Sequence, residues 1–417
     1  MPGFLTGGAH QQDAAAAAPD AEFWRSFGDP VLERLVGEAL LHNHDVRIAL
    51  ARYDQANALL RGTRFEQLPT LGGGAEASES RSSADQVPGV NRAARDSEHY
   101  RAEVSALWEL DFFGRIRRGV EAQRADTQAS AADLAAMQVL IVGELADAYF
   151  GLRGLQEQLA IARQNEHNQA QTLRLIELRS EQGMGGSFEV DRARTQLEST
   201  RSRVPALQSA LALSTHRITV LLGRTPQSPP AGLQEAAALP PLPTSVATGT
   251  PSELLRRRPD VSAAERRLAA STARIGVATA DLFPRFTLGG LIGSQALDAG
   301  ALFNRDSETR LVAFGIDGGF LNVGRVRAHL AAANAATAAE LARYEQTVLG
   351  ALEETENALV RVDRSARGEH PPGERRGRWR SRLGGGAPAP GERGDRRAGR
   401  AGNRARTPAG RGRVRAG

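Results

Sequence analysis

Between Trp108 and Gln182 the apolar positions recur at helical spacing. Leu145, Leu152 and Leu159 lie seven apart, and so do Leu155, Ala162 and Ile176 with Gln169 as one polar lapse. No proline interrupts the stretch, and Ala, Leu, Gln, Glu and Arg dominate it, a composition that favours helix. A helix of roughly 70 residues is on the order of 100 Å long. No single globular core is that deep, so the helix belongs to a coiled coil, a long bundle or a tube. The stretch ends in Gly183-Met184-Gly185-Gly186-Ser187, which predicts a tight reversal before Glu189 and Val190. A return helix then shows two heptad seams: Leu197, Val204, Leu211 and Ile218 in one, Thr200, Leu207, Ser214 and Leu221 in the other. Pro205 is expected to kink it. Residues 109–222 thus read as an antiparallel helical hairpin.

Upstream, Asp29 and Pro30 mark a helix start before the apolar stripe Leu32, Leu35, Val36, Ala39 and Leu40. The helix resumes after Asn43 and runs to about Arg64, with Pro69 behind it. The period then changes from helical to alternating. Leu71, Gly73, Ala75 and Ala77 alternate with Gly72, Gly74, Glu76 and Ser78; Tyr100, Ala102, Val104, Ala106 and Trp108 alternate with Arg101, Glu103, Ser105 and Leu107. This predicts strands at about 70–79 and 99–108. Each has one apolar and one wet face, which suits an ordinary half-exposed hairpin. The alternation alone favours that reading, but it also fits a membrane barrel with Tyr100, Val104 and Trp108 toward lipid and aromatic residues at the rims.

After a proline-rich linker at 223–250, expected to be extended, the pattern returns. Asp45 and Asp260, Arg52 and Arg267, Ala58 and Ala273, and Pro69 and Pro284 are each 215 positions apart. Strands are expected again at about 285–293 and 309–317, and Gly114-Arg115-Ile116-Arg117 recurs as Gly324-Arg325-Val326-Arg327 before a second Ala-rich helix. A helix–strand–strand–helix unit is duplicated, over 21–222 and 251–366. The second reversal and return helix are missing, because from Arg367 the chain turns aperiodic.

Charge sharpens that boundary. Residues 367–417 hold 15 arginines against 4 acidic residues, a surplus of 11 that reduces the chain's +5 to −6 over the remaining 366. The tail reads as disordered. It is either an anion-binding segment or an out-of-frame translation of GC-rich DNA, and its chemistry does not extend to the body. Residues 1–20 also read as disordered. No cysteine is present, which excludes disulfides, zinc–thiolate sites and cysteine nucleophiles. There is no apolar run of about 18 residues, so no helix is expected to span a membrane, and no signal peptide is recognisable. No nucleophile–base pair, phosphate loop or metal cluster stands out. The expectation is a protein that is not an enzyme and binds no cofactor or metal.

Four strands cannot close a membrane barrel, whose smallest members need about eight; three chains would supply about twelve. At this point several blocks resemble the TolC-like outer membrane efflux proteins, in particular the NodT/OprM-type lipoproteins of resistance-nodulation-division (RND) systems. They are residues 23–30 (FWRSFGDP), 110–115 (LDFFGR), 257–261 (RRPDV), 264–268 (AERRL) and 273–284 (ARIGVATADLFP). The resemblance implies a mainly helical fold with a small β portion. It implies a homotrimer whose twelve-stranded barrel sits in outer membrane lipid and whose helical barrel crosses the periplasm. It implies passive export of drugs and other small molecules, driven by an inner-membrane RND pump through a periplasmic adaptor protein, with no nucleic acid partner. It places the adaptor-docking tip at Gly183, Gly185, Gly186, Ser187, Glu189 and Val190, with Glu189 in a carboxylate ring at the entrance. The family's lipidated cysteine is absent here. Two other readings stay open: a non-transporting coiled-coil scaffold with a basic nucleic-acid-binding tail, and a nonfunctional fragment of a channel gene.

Overall fold

The computed structural model describes residues 22–240, 250–318 and 322–366. In chain order its elements are α1 (Pro30–His42), α2 (His44–Phe65), β1 (Thr70–Arg81), β2 (Asp96–Leu110), α3 (Arg115–Glu181), α4 (Ser187–Arg201), α5 (Arg203–Leu221), α6 (Pro251–Arg257), α7 (Pro259–Ala280), β3 (Arg285–Ala296), β4 (Glu308–Asp317) and α8 (Val323–Ala366). The chain separates into two units, residues 1–359 and 360–417. Of the second, only 360–366 is described, as helix. The segments expected to be disordered at 1–20 and 367–417 lie outside the described residues, and with them the stretch after Ala366 from which a second reversal and return helix are expected to be missing.

The duplication is visible in the elements themselves. α2 and α7 each have 22 residues, β1 and β3 each have 12, and both pairs are offset by 215 positions. The four strands form one antiparallel sheet in the order β1-β2-β3-β4, so the two hairpins join through β2 and β3. The strands run past the predicted ends. β1 continues to Arg81, which pairs with Asp96 at 2.7 Å at the start of β2, and β2 continues to Leu110 before the helical hairpin starts at Arg115.

The joint between sheet and hairpin explains the Leu110–Arg115 block. Gly114 adopts φ +81°, and the Asp111 carboxylate accepts from the backbone N–H of Ile116 at 3.2 Å and of Arg117 at 2.8 Å, satisfying two donors of the first turn of α3. The Glu109 carboxylate accepts from Arg115 Nε at 2.8 Å and Nη2 at 2.7 Å. Phe113 stacks on Phe283 with centroids 4.5 Å apart, and Phe112 meets Phe286 edge-on at 5.2 Å.

Along the hairpin the predicted seams face inward. Leu145, Leu152, Ala162, Leu197, Ile218 and Leu221 are buried, and the polar lapse Gln169 accepts a hydrogen bond from Thr200 Oγ1 at 2.7 Å. The return arm is broken at Ser202, between α4 and α5, rather than kinked at Pro205. Pro205 is the third residue of α5, where its missing N–H costs no helical bond.

A stretch of α3 is long and apolar enough to span a membrane by length and composition, which the sequence reading denied. Part of its apolar content is core: Ile141, Val142 and Leu145 pack with Leu32, Leu35, Val36 and Ala39 of α1 and with Leu222 and Leu233. Glu144 of α3 pairs with Arg217 of α5 at 2.5 Å. The linker at 223–250 is likewise not simply extended. Leu233 is fully buried in this core, and residues 241–249 lie outside the described set.

One side chain ties the ends of this region together. Asn43 is 3% exposed; its Oδ1 accepts from the backbone N–H of Asp45 at 2.8 Å and of Val46 at 3.2 Å, starting α2, while Nδ2 donates to Leu221 O at 2.9 Å. Gly223, with φ +71°, passes so close to His42 that a Cβ would lie 2.4 Å from its carbonyl oxygen. Asn43→Ala removes a cap and strands a buried carbonyl, and it is expected to lower stability by about 2 kcal/mol. The shift of the denaturant midpoint of the purified protein reads this out, with Leu41→Ala, at an exposed position of α1, as the control.

Candidate functional site

Two surfaces carry the chemistry singled out from sequence. On the sheet, directly paired residues share a face, and the register puts Tyr100, Ala102, Val104, Ala106, Trp108 and Leu110 of β2 on one side. Leu71, Gly73, Ala75 and Ala77 of β1 lie beside them. So do Phe286, Leu288, Gly290 and Ile292 of β3, followed by Val312, Phe314 and Ile316 of β4. The apolar face is therefore continuous over all four strands. It is uncovered: Val104 is 56% exposed, Ile292 59% and Val312 82%. The Trp108 indole donates to Gln67 O at 3.1 Å, which fixes the ring at the helix end of the sheet, and the Tyr100 hydroxyl donates to Glu98 at 2.9 Å toward the loop end.

The opposite face holds Glu76, Arg101, Glu103, Ser105, Glu109, Thr287 and Thr309, but also Leu107, Leu291 and Leu311. It is mixed rather than wholly polar. The outer edges of β1 and β4 have no strand partner within the sheet.

At the far end of the hairpin, α3 stops because Gly183 takes φ +76°. The N–H of Gly183 donates to Ser180 O at 3.0 Å and that of Met184 to Arg179 O at 2.9 Å, a left-handed glycine stop. Gly186 precedes α4 in extended conformation, and Ser187, Glu189 and Val190 form its first turn. The Glu189 carboxylate folds back toward Gly185 and makes no ion pair among the described residues. Two residues not singled out from sequence dominate this surface: Met184 is 68% exposed and Phe188 75%. Pairs such as Arg194–Glu177 and Arg201–Glu166, both at 3.1 Å, hold α4 in register with α3 behind the tip.

A buried polar cluster was also missed. Arg153, 2% exposed, donates to Gly232 O at 3.0 Å, Glu235 O at 2.7 Å, Gln156 Oε1 at 2.9 Å and the Tyr149 hydroxyl at 3.2 Å. Tyr149 in turn donates to Asp29, the cap of α1, and burial with that hydrogen bond pushes its pKa up to about 12. Gln156 Nε2 donates to Leu233 O at 2.7 Å. The cluster clamps the linker to α3. Outside the sheet, Arg258 joins Asp260 and Glu354 of α8, each at 2.7 Å, and holds the Asp260 carboxyl below its usual range. Among the described residues no group of acidic and histidine side chains could hold a metal ion.

The sequence matches the outer membrane efflux protein family over residues 35–224 and 250–370, which takes in both repeats. The chain belongs to that family. Among relatives of this efflux protein, the pyoverdine export outer membrane protein OpmQ of Pseudomonas putida is 33% identical over 351 residues, 83% of this chain and 73% of the relative. Nodulation protein T of Rhizobium leguminosarum bv. trifolii is 30% identical over 349 residues, with the same coverage of each. The structure of the outer-membrane channel OprN superposes with a TM-score of 0.79 at 39% identity, covering 88% of this chain and 83% of that one. The expected fold class, helical hairpins with a small β portion and internal duplication, is the one found. The protein is an outer membrane efflux channel component of the kind that serves RND-type systems.

Proposed function

We propose that three copies of this efflux protein close a twelve-stranded barrel in the outer membrane, with Tyr100, Val104 and Trp108 toward lipid and the α3–α5 hairpin in the periplasm. The observation that carries this reading is the sheet. It presents one uncovered apolar face and two strand edges with no partner in the sheet, and four strands are half of what the smallest closed barrel requires. Closure by copies of the same chain satisfies both edges at once. The helical hairpins, gathered by the same symmetry, then form a conduit through which drugs and other small molecules leave passively. An inner-membrane RND pump supplies the energy through a periplasmic adaptor protein.

The adaptor docks at the tip formed by Gly183, Gly185, Gly186, Ser187, Glu189 and Val190. The exposed side chains of Met184 and Phe188 supply the apolar centre such a contact needs. The test is recovery from outer membranes as a heat-modifiable trimer that forms pores in a planar bilayer. A soluble monomer without conductance would refute it.

Three Glu189 carboxylates around one axis favour cations at the entrance. Glu189→Gln is expected to lower the cation-over-anion permeability ratio a few-fold, read from reversal potentials in a salt gradient, with assembly unchanged. An unaltered ratio would place Glu189 away from the permeation path.

A further inference from the structure

The loop between β3 and β4 does not simply cap the sheet. Ser294 lies on the apolar face, opposite Ala102, and its one hydroxyl proton is shared between the carbonyls of Leu302 and Ser307, the latter at 3.2 Å. These bonds bring the loop over that face. Asp298 accepts from Gly300 N at 2.6 Å and Ser307 Oγ donates to Ala301 O at 2.8 Å, so the loop is internally braced. Phe303 is left 82% exposed. Between its ring and the strands runs an open groove of about 540 Å³, walled by Val104, Ile292 and Phe303 over a floor that includes Gly73, Ala102 and Ser294. The small floor residues make the depression, and the three larger ones make it apolar.

Next to the groove stands the one arginine of β4. Arg310 is paired directly with Ile292 and shares its face. It is exposed and makes no ion pair among the described residues. Glu308, two residues nearer the loop on the same face, is not within ion-pair distance of it. Arg310 stands six positions from Ile316 near the helix end, about 20 Å along a strand. With ordinary barrel tilt this places it in the outer half of an apolar band about 25 Å tall. From there its side chain can reach headgroup level. An arginine on a lipid-facing surface is costly near the midplane, and a phosphate offers its planar donors a matching bidentate partner.

We infer that this outward face binds a phosphorylated lipid of the outer leaflet, with an acyl chain in the groove beneath Phe303 and a phosphate on Arg310. The inference rests on the proposed barrel and its orientation in the membrane. Arg310, which makes no ion pair among the described residues, selects this occupant over a neutral lipid even with Glu308 and Glu79 on the same face.

The test uses the full chain, purified as the trimer and reconstituted in phosphatidylcholine nanodiscs doped with diphosphoryl lipid A, with retained lipid A counted by mass spectrometry. Wild type is expected to retain lipid A, Arg310→Gln to retain about fivefold less, as the loss of one surface cation implies, and Phe303→Ser to retain less because the groove loses its apolar wall. Pore conductance should stay unchanged in both variants. Equal retention by Arg310→Gln, with conductance intact, would overturn the site while leaving the channel standing. Glu79 lies on the same face at the loop end of β1, where a neighbouring copy would meet β4. If Arg310→Gln and Glu79→Gln instead lower the trimer's heat resistance alike, with retained lipid unchanged, Arg310 pairs between copies and the lipid site is wrong. A wild-type chain that forms no heat-modifiable oligomer at all overturns the barrel itself.

Discussion

Val312→Arg is expected to abolish barrel assembly, whereas Ala313→Arg, one position along the same strand, leaves it intact. Val312 is 82% exposed on the apolar face, two residues deeper than Arg310, and is paired with Gly290, so a charge there has a longer reach to the headgroups and no bulky neighbour to hide it. Ala313 is paired with Gly289 on the mixed face, which already carries Arg101 and Glu103. An arginine toward lipid near the midplane costs about 2–4 kcal/mol. In a closed ring of three chains that cost recurs in each copy, so the total is comparable to the whole stability of an ordinary domain. The measurement is refolding of both variants into lipid vesicles followed by heat-modifiability on gels. Normal assembly of Val312→Arg, or equal failure of both, would reverse the assignment of faces.

Arg153→Leu is expected to destabilise the helical body by about 3–5 kcal/mol. The guanidinium satisfies two linker carbonyls, the Gln156 amide oxygen and the Tyr149 hydroxyl in a site that is 2% exposed, and leucine leaves all four without their donor. Lysine cannot replace it, because one ammonium cannot span donors that diverge toward Gly232 and Glu235. A guanidinium denaturation curve followed by helical circular dichroism measures the loss, and limited proteolysis around residues 229–235 should show the linker released. Tyr149 adds a pH signature. Its folded pKa of about 12 lies above the value of 10 for free tyrosine. The neutral hydroxyl is therefore favoured by folding, and that stability is complete below pH 10 and lost as pH rises through 12. Tyr149→Phe should flatten this alkaline limb while lowering stability at neutral pH.

The helical hairpin and the strands were legible because each repeats one period over many residues. A seam of Leu197, Val204, Leu211 and Ile218 admits few alternatives to a helix packed along one face, and the alternation from Tyr100 to Trp108 admits few alternatives to a strand. The offset of 215 positions was legible for the same reason, since a duplicated unit leaves paired landmarks. The Arg153 cluster was not, because its partners are backbone carbonyls of residues 232, 233 and 235, and a carbonyl has no signature in sequence. The linker read as extended because proline content alone cannot report that Leu233 is buried. Met184 and Phe188 were passed over at the tip because glycines draw attention to the turn, while the exposed side chains beside them follow no period. Arg310 was missed because one charge among Val312, Phe314 and Ile316 reads as a lapse in a pattern.

The two unpaired strand edges also have a genetic meaning. If every barrel needs β1 of one copy beside β4 of the next, a copy defective at either edge spoils each ring it enters. In a cell making equal amounts of intact and defective chains, only about one ring in eight would be built from intact chains alone. Edge mutations should therefore be dominant over a wild-type copy, whereas tip mutations that merely weaken adaptor docking should be partly masked by the intact hairpins beside them.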